Sequence, residues 1–151
     1  MNESLKAVWI NTENKKVFCV KHRVRYSDTD RMDMVYHGSY VPMLEAARVE
    51  TLREIGWVYS EMEKKGILLP VIDLNLKYKM PARYDQILSI ESHIVKAPTS
   101  RMIFSFKIKH EDNLLVEAEV TLAFVDAETG RPRRAPAGLS EDLEKNGLIH
   151  S

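Results

Sequence analysis

Strict alternation of apolar and polar side chains predicts five β-strands in this chain. A period of two residues is typical of strands that bury one face. The predicted strands cover residues 17–26, 72–80, 88–95, 101–109 and 114–124. Only short loops join the last four strands, which favours antiparallel pairing because parallel strands need long crossover connections.

A long helix is predicted between the first two strands. Tyr40, Leu44, Ala47 and Thr51 repeat at the spacing of one helical face, and Gly56 is placed to end the helix. The order of one strand, one helix and four strands predicts an α+β fold, with one long helix packed on a five-stranded antiparallel sheet.

No repeat or linker divides the sequence, so residues 1–151 are expected to form a single domain. We interpret residues 1–16 as a polar N-terminal extension and residues 130–151 as a C-terminal tail with a short helix. One helix covers only part of such a sheet, so we expect a homo-oligomer, either a dimer or a tetramer, to cover the opposite face. The apolar residues assigned to that face are Ile87, Val95, Ile103, Leu115 and Val125.

Composition and charge exclude several functional classes. The 22 Lys and Arg residues balance 22 Asp and Glu, and a net charge of zero argues against nucleic-acid binding. No apolar run approaches the roughly 20 residues that span a bilayer. The first residues carry no export signal, and the single cysteine, Cys19, excludes an intrachain disulfide and a cysteine-rich metal site. We therefore expect a cytoplasmic protein that does not insert into membranes.

Three carboxylates lie between the first strand and the helix: Asp28, Asp30 and Asp33. They do not form a calcium-binding EF-hand loop, which would need glycine at Asp33 and glutamate at Ser39. An aspartate-nucleophile phosphatase would need α/β crossovers that the predicted strand order lacks. For Asp28 we favour turn formation or helix capping, which is the commoner role of aspartate in such a place.

Asp30 has a different setting because of the helix that follows it. Pro42 has no N–H group and suits the first helical turn, so the helix should begin near Gly38 or Ser39. The free N–H groups there form a positive end that is rich in donors. Such donors polarise a carbonyl while a carboxylate attacks it or activates water, so this arrangement suits acyl chemistry.

The same segment resembles the hotdog-fold acyl-CoA thioesterases of the 4-hydroxybenzoyl-CoA thioesterase and YbgC type. The family pattern is an aromatic residue, Asp-x-Asp, Val-Tyr/Trp-His/Tyr, and a small residue before Asn/Ser-Tyr. The matching positions are Tyr26, Asp28-Thr29-Asp30, Val35-Tyr36-His37, Gly38 and Ser39-Tyr40, with further matches at 45–48, 69–71, 78, 81–85 and 117–119. The resemblance spans roughly residues 17–136, and the family's element order agrees with the strand and helix pattern.

The resemblance implies hydrolysis of an acyl-CoA without a metal ion or an organic cofactor. Asp30 matches the family's catalytic carboxylate, which acts as a nucleophile or as a general base. The backbone N–H of His37 would polarise the thioester oxygen, and its imidazole either assists the reaction or has no chemical role. Tyr36, Gly38 and Tyr40 are expected in the substrate pocket or in the core beside it.

Two alternatives to acyl-CoA hydrolysis stay open. Acyl carrier protein is a possible substrate carrier in place of coenzyme A, and a non-catalytic acyl-CoA-binding module is possible on the same fold. Asp33 stands where the family usually has glycine. Its carboxylate would disfavour ionisation of Asp30, narrow the pocket, pair with a polar substrate group or point to solvent, and we favour the last of these.

Arginines form the second group of candidate residues. Arg131, Arg133 and Arg134 lie in one basic segment, and Arg83 lies in a segment that matches the family. Arginine binds the phosphate groups of coenzyme A well. The resemblance implies a nucleotide at the rim between subunits, so each of these residues is a candidate contact; the alternative is a solvated basic tail.

Overall fold

The computed structural model describes residues 7–12 and 15–150. Its helices are α1 (Tyr40–Glu54), α2 (Tyr59–Lys64) and α3 (Leu139–Lys145), and one-turn 3-10 helices lie at Tyr26–Asp28 and His37–Ser39. Its strands are β1 (Val8–Thr12), β2 (Lys15–Arg23), β3 (Ile67–Leu68), β4 (Val71–Tyr78), β5 (Ile87–Ile94), β6 (Arg101–His110), β7 (Asn113–Ala123) and β8 (Val125–Asp126). The predicted α+β class is confirmed.

The main sheet is antiparallel and has six strands in the order β1-β2-β5-β6-β7-β4, while β3 and β8 form a separate pair. The prediction of five strands was wrong because β1 lies within the segment interpreted as a polar extension. Its apolar run is only three residues long, too short for a clear alternation. The Trp9 ring contacts the Phe18 ring edge to face at 5.0 Å, which holds β1 against the sheet. Residues 1–6 lie outside the described part.

Helix α1 packs on β2 and β5. The four residues of its predicted buried face, Tyr40, Leu44, Ala47 and Thr51, are all buried. The predicted first strand ends early, at Arg23, where the chain turns into a 3-10 helix. No helix in the described ranges 7–12 and 15–150 is long and apolar enough to cross a membrane.

The edge strand β4 exposes more apolar surface than the five residues assigned to an open face. Leu115 is buried near a register irregularity, and its carbonyl accepts hydrogen bonds from the N–H groups of Lys79 and Met80. The other four residues of that set are partly buried. By contrast, β4 exposes Val71, Ile72, Leu74 and Tyr78.

Candidate active site

A tight hairpin of residues 28–36, here called the Asp hairpin, joins β2 to the helix start. The Asp30 N–H donates to Met34 O at 2.8 Å, and the Tyr36 N–H donates to Asp28 O at 2.9 Å. The turn places Asp33 in the left-handed region with φ of 62°. The Asp33 side chain is exposed, which agrees with the solvent-facing position that we favoured.

Asp28 anchors the Asp hairpin to β2. Its side chain is buried, and Oδ2 lies 2.9 Å from His22 Nε2 and accepts the Arg25 N–H at 2.9 Å. Burial opposes ionisation of this carboxyl. The bond from the Arg25 N–H and the contact with His22 outweigh burial, so the pKa of Asp28 is lowered. Asp28 therefore has the turn-forming role that we favoured, with an additional contact to His22.

Asp30 presents its carboxylate at the surface of the hairpin, where it shares an open cleft with Tyr26 and Arg31. Oδ1 accepts the Met32 N–H at 2.8 Å and lies 3.4 Å from the Met34 N. Among the residues described by the structure, Oδ2 has no hydrogen-bond partner. One oxygen is thus oriented by the backbone, and the other is open to water or substrate.

The helix start supplies backbone donors directly after the Asp hairpin. The Ser39 N–H makes the first bond of this turn, to Tyr36 O at 2.9 Å. The N–H groups of His37 and Gly38 precede that bond and therefore lack acceptors within the helix. A Cβ on Gly38 would lie 2.9 Å from Tyr36 Cε2. Only glycine lets the Tyr36 ring lie this close to the backbone.

Three tyrosine rings surround the helix start: Tyr36 and Tyr78 are half exposed, and Tyr40 is buried. Tyr36 is half exposed, and its ring lies 4.2 Å from the His37 ring, which is also exposed. Tyr40 is buried, and burial raises the pKa of its hydroxyl. Tyr40 therefore takes the core position rather than the pocket wall within this chain. The Tyr78 hydroxyl donates to His37 O at 3.0 Å.

The four candidate arginines are divided between opposite ends of the sheet. Arg83 pairs with Met34 and so lies beside the Asp hairpin. Arg131, Arg133 and Arg134 lie near the far end of β7, where the Arg133 N–H donates to Phe124 O at 2.9 Å.

Val116 of β7 pairs with Tyr78, whose hydroxyl reaches the helix start, so this end of β7 is the end beside the site. Phe124 directly follows β7 and lies eight residues after Val116, which corresponds to about 26 Å in an extended chain. Within one chain, the segment of Arg131 therefore lies at the opposite end of β7 from Tyr78.

Sequence reasoning assigned no role in the site to His22 or Tyr78, although position 78 is among the family matches. Both sit in strands whose alternation was predicted, but nothing local indicates that their polar atoms reach Asp28 and His37. Within residues 7–12 and 15–150, no group of three or more His, Cys, Asp or Glu side chains is arranged to hold a metal ion.

Comparison with known proteins identifies the family of this chain. Residues 24–143 match the family model described as the Thioesterase-like superfamily. The chain is 32% identical over 133 residues to "Acyl-CoA thioester hydrolase YbgC" of Escherichia coli, covering 87% of this chain and 99% of that protein.

Solved structures agree with the match. The DHNA-CoA thioesterase of Staphylococcus aureus superimposes with a TM-score of 0.78 at 28% identity, over 84% of this chain and 88% of that one. A hypothetical protein of the same organism, solved in complex with CoA, gives a TM-score of 0.82 over 94% and 91% of the two chains. At 15% identity, that second likeness concerns the fold alone. The chain has the hotdog fold and belongs to the Thioesterase-like superfamily.

Proposed function

We propose that this protein hydrolyses an acyl-CoA thioester to a free carboxylic acid and coenzyme A. The observation that carries this proposal is the Asp30 carboxylate, held by backbone N–H groups on a hairpin that runs directly into a donor-rich helix start. The name of the Escherichia coli relative, an acyl-CoA thioester hydrolase, supports the same reaction and the same carrier.

The proposed reaction begins with a thioester carbonyl polarised by the N–H groups of His37 and Gly38. As a general base, Asp30 takes a proton from water while the water oxygen bonds to the carbonyl carbon. As a nucleophile, Asp30 bonds to that carbon itself and forms an anhydride that water then hydrolyses. In both routes the backbone donors stabilise the negative oxygen, and the thiolate leaves with the C–S electron pair. We include the exposed His37 imidazole in this proposal as a group that assists proton transfer to the thiolate or to water.

A homodimer formed through β4 is part of the proposal. Among the described residues, no strand pairs with the outer edge of β4, and this strand exposes the apolar residues Val71, Ile72 and Leu74. Two-fold pairing of this edge with a second copy runs the two strands antiparallel. The far end of one sheet then meets the site end of the other, so Arg131, Arg133 and Arg134 would serve the partner's site and bind the phosphates of coenzyme A. A tetramer would be a pair of such dimers.

We also propose a cytoplasmic location. Cys19 is the only cysteine, and it is free and buried. A chain without disulfides suits a reducing compartment.

The test is a panel of acyl-CoA and acyl-acyl carrier protein thioesters, with release of free thiol trapped and measured. The wild type is compared with Asp30→Asn, and with Asp112→Asn as a control that makes the same chemical change in the β6–β7 turn. We expect Asp30→Asn to lower kcat about 100-fold or more, as for loss of a general base, while the control keeps wild-type activity.

Three other results would revise the proposal in specific ways. Full activity in Asp30→Asn would reject the catalytic role of Asp30. Tight binding of acyl-CoA without turnover by the wild type would favour the non-catalytic module. If the protein hydrolyses acyl-acyl carrier protein and no acyl-CoA, the carrier in the proposal becomes acyl carrier protein in place of coenzyme A.

A further inference from the structure

The Tyr78 hydroxyl contacts the backbone of the helix start from the edge of the sheet. It donates to the carbonyl oxygen of His37 at 3.0 Å. The phenol is held in place because Tyr78 ends β4 in register with Val116 and its ring lies 5.7 Å from that of buried Tyr40. Tyr78 is therefore a fixed donor in contact with the His37 backbone.

The acceptor of this bond belongs to a peptide group that also carries one of the proposed oxyanion donors. The C=O of His37 and the N–H of Gly38 form one planar unit. A bond that fixes the direction of the carbonyl therefore fixes the direction of the Gly38 N–H. A carbonyl that accepts a hydrogen bond also makes the N–H of the same peptide a stronger donor.

The Gly38 peptide needs such a contact because the helix itself does not restrain it. Its N–H precedes the first hydrogen bond of the turn, from the Ser39 N–H to Tyr36 O. Glycine also has more backbone freedom than any other residue. Packing of the Tyr36 ring against Gly38 restrains one side of this peptide, and the Tyr78 bond restrains the carbonyl.

We propose that Tyr78 is a positioning residue that orients and polarises the Gly38 N–H toward the thioester oxygen. The proposal rests on the thioesterase function proposed above. Tyr78 does not touch the reacting atoms; it acts through the His37–Gly38 peptide. The benefit is greatest when negative charge develops on the thioester oxygen, so it should affect kcat more than KM.

The test compares Tyr78→Phe with the wild type on the best thioester of the panel. Tyr84→Phe is the matched control because it also removes one phenol hydroxyl from an exposed ring. Loss of one neutral hydrogen bond predicts that Tyr78→Phe lowers kcat about three- to tenfold, with KM changed by less than about twofold. Tyr84→Phe should keep both constants.

A spectroscopic measurement separates positioning from a merely structural role. Infrared spectra are recorded for the thioester carbonyl bound to Asp30→Asn and to the Asp30→Asn/Tyr78→Phe double variant. A weaker donor leaves the carbonyl less polarised, so its stretching frequency should be higher in the double variant.

The outcomes distinguish this inference from the proposed function. Suppose that Asp30→Asn is inactive, that Tyr78→Phe has the kcat of the wild type, and that the double variant has the carbonyl frequency of Asp30→Asn. The role of Tyr78 is then rejected and the thioesterase function stands. If Tyr78→Phe raises KM alone, its hydroxyl contributes to binding and the positioning role is also rejected. If the wild type hydrolyses no thioester, both proposals fail.

Discussion

Asp33 illustrates at the residue scale how backbone geometry decides what a side chain does. The family pattern has glycine here, and the observed φ of 62° explains why glycine suits the position. Aspartate is one of the few other residues that adopt this conformation readily. Its side chain is exposed, so the added carboxylate changes the surface of the hairpin and keeps its turn.

Asp33→Gly should therefore leave acyl preference and the pH profile of hydrolysis unchanged. Its free energy of unfolding should stay within about 1 kcal/mol of wild type, because two effects oppose each other. Glycine relieves the backbone strain at positive φ, which stabilises the folded state, but it gives the unfolded chain more freedom, which favours unfolding. Asp33→Val should cost about 1–3 kcal/mol, since a β-branched residue is strained at positive φ. Thioester kinetics and urea denaturation measure these effects. A changed acyl preference in Asp33→Gly would place this carboxylate beside the acyl group.

At the residue scale, the sequence predicted those features of the site that depend on the spacing of nearby residues. Pro42 located the helix start, and the donors near His37 and Gly38 followed from it. The contact of Tyr78 with His37 was not predicted because the two residues lie 41 positions apart in the sequence. Tertiary packing decides the direction of the Tyr78 hydroxyl. No pattern of alternation contains that information.

Helix α1 shows at the element scale how a local signal sets a boundary. Gly56 has φ of 93°, and the helix ends at Glu54, two residues earlier. The Gly56 N–H donates to Arg53 O at 3.0 Å, and the Trp57 N–H donates to Leu52 O at 2.8 Å. These bonds satisfy carbonyls that the helix leaves without partners.

Gly56→Ala should lower the free energy of unfolding by about 1 kcal/mol, because an L residue is strained in this left-handed conformation. In the part of the chain that the structure describes, no atom outside the neighbouring residues lies within 4 Å of a Cβ built at Gly56, so the cost is conformational and not steric. Gly56→Asn should cost less, since asparagine tolerates the conformation. Chemical denaturation compares the two variants. Equal losses in both would contradict a conformational origin.

The strand of the main sheet that the sequence missed, β1, has weak local signals, and the two-residue strands β3 and β8 were not predicted either. Strand β1 has five residues and follows a polar start, and its stability comes from pairing with β2 and from the contact of Trp9 with Phe18. The long strands β6 and β7 were predicted to within a residue or two because both have many alternating positions. The prediction is thus more accurate for longer strands and for strands in which apolar and polar residues alternate clearly.

At the scale of the whole molecule, the sequence predicted that part of the sheet needs cover, and it assigned the exposed apolar residues to a sheet face rather than to the edge strand β4. The alternation pattern shows which face a residue takes, whereas strand order decides which strand lies at an edge. Strand β4 is second among the five predicted strands yet lies at the end of the sheet. Its exposed apolar residues could be assigned to an edge only after the sheet order was known.

The separation of the Asp hairpin from the segment of Arg131 has a genetic consequence in the proposed dimer. Each site would take its carboxylate from one chain and its phosphate contacts from the other. Asp30→Asn and a triple variant with Arg131, Arg133 and Arg134 changed to Ala would then be defective for different reasons. A hybrid of the two would contain one intact site and one doubly defective site.

Unfolding and refolding an equal mixture of these variants should therefore restore activity. Random pairing makes about half of the dimers hybrids, so kcat/KM should reach about one quarter of the wild-type value. Refolding each variant alone is the control, and light scattering verifies the dimer. If the mixture gives only the mean of its components, each chain builds its site alone. Restored activity would show that two chains, each defective alone, complement one another.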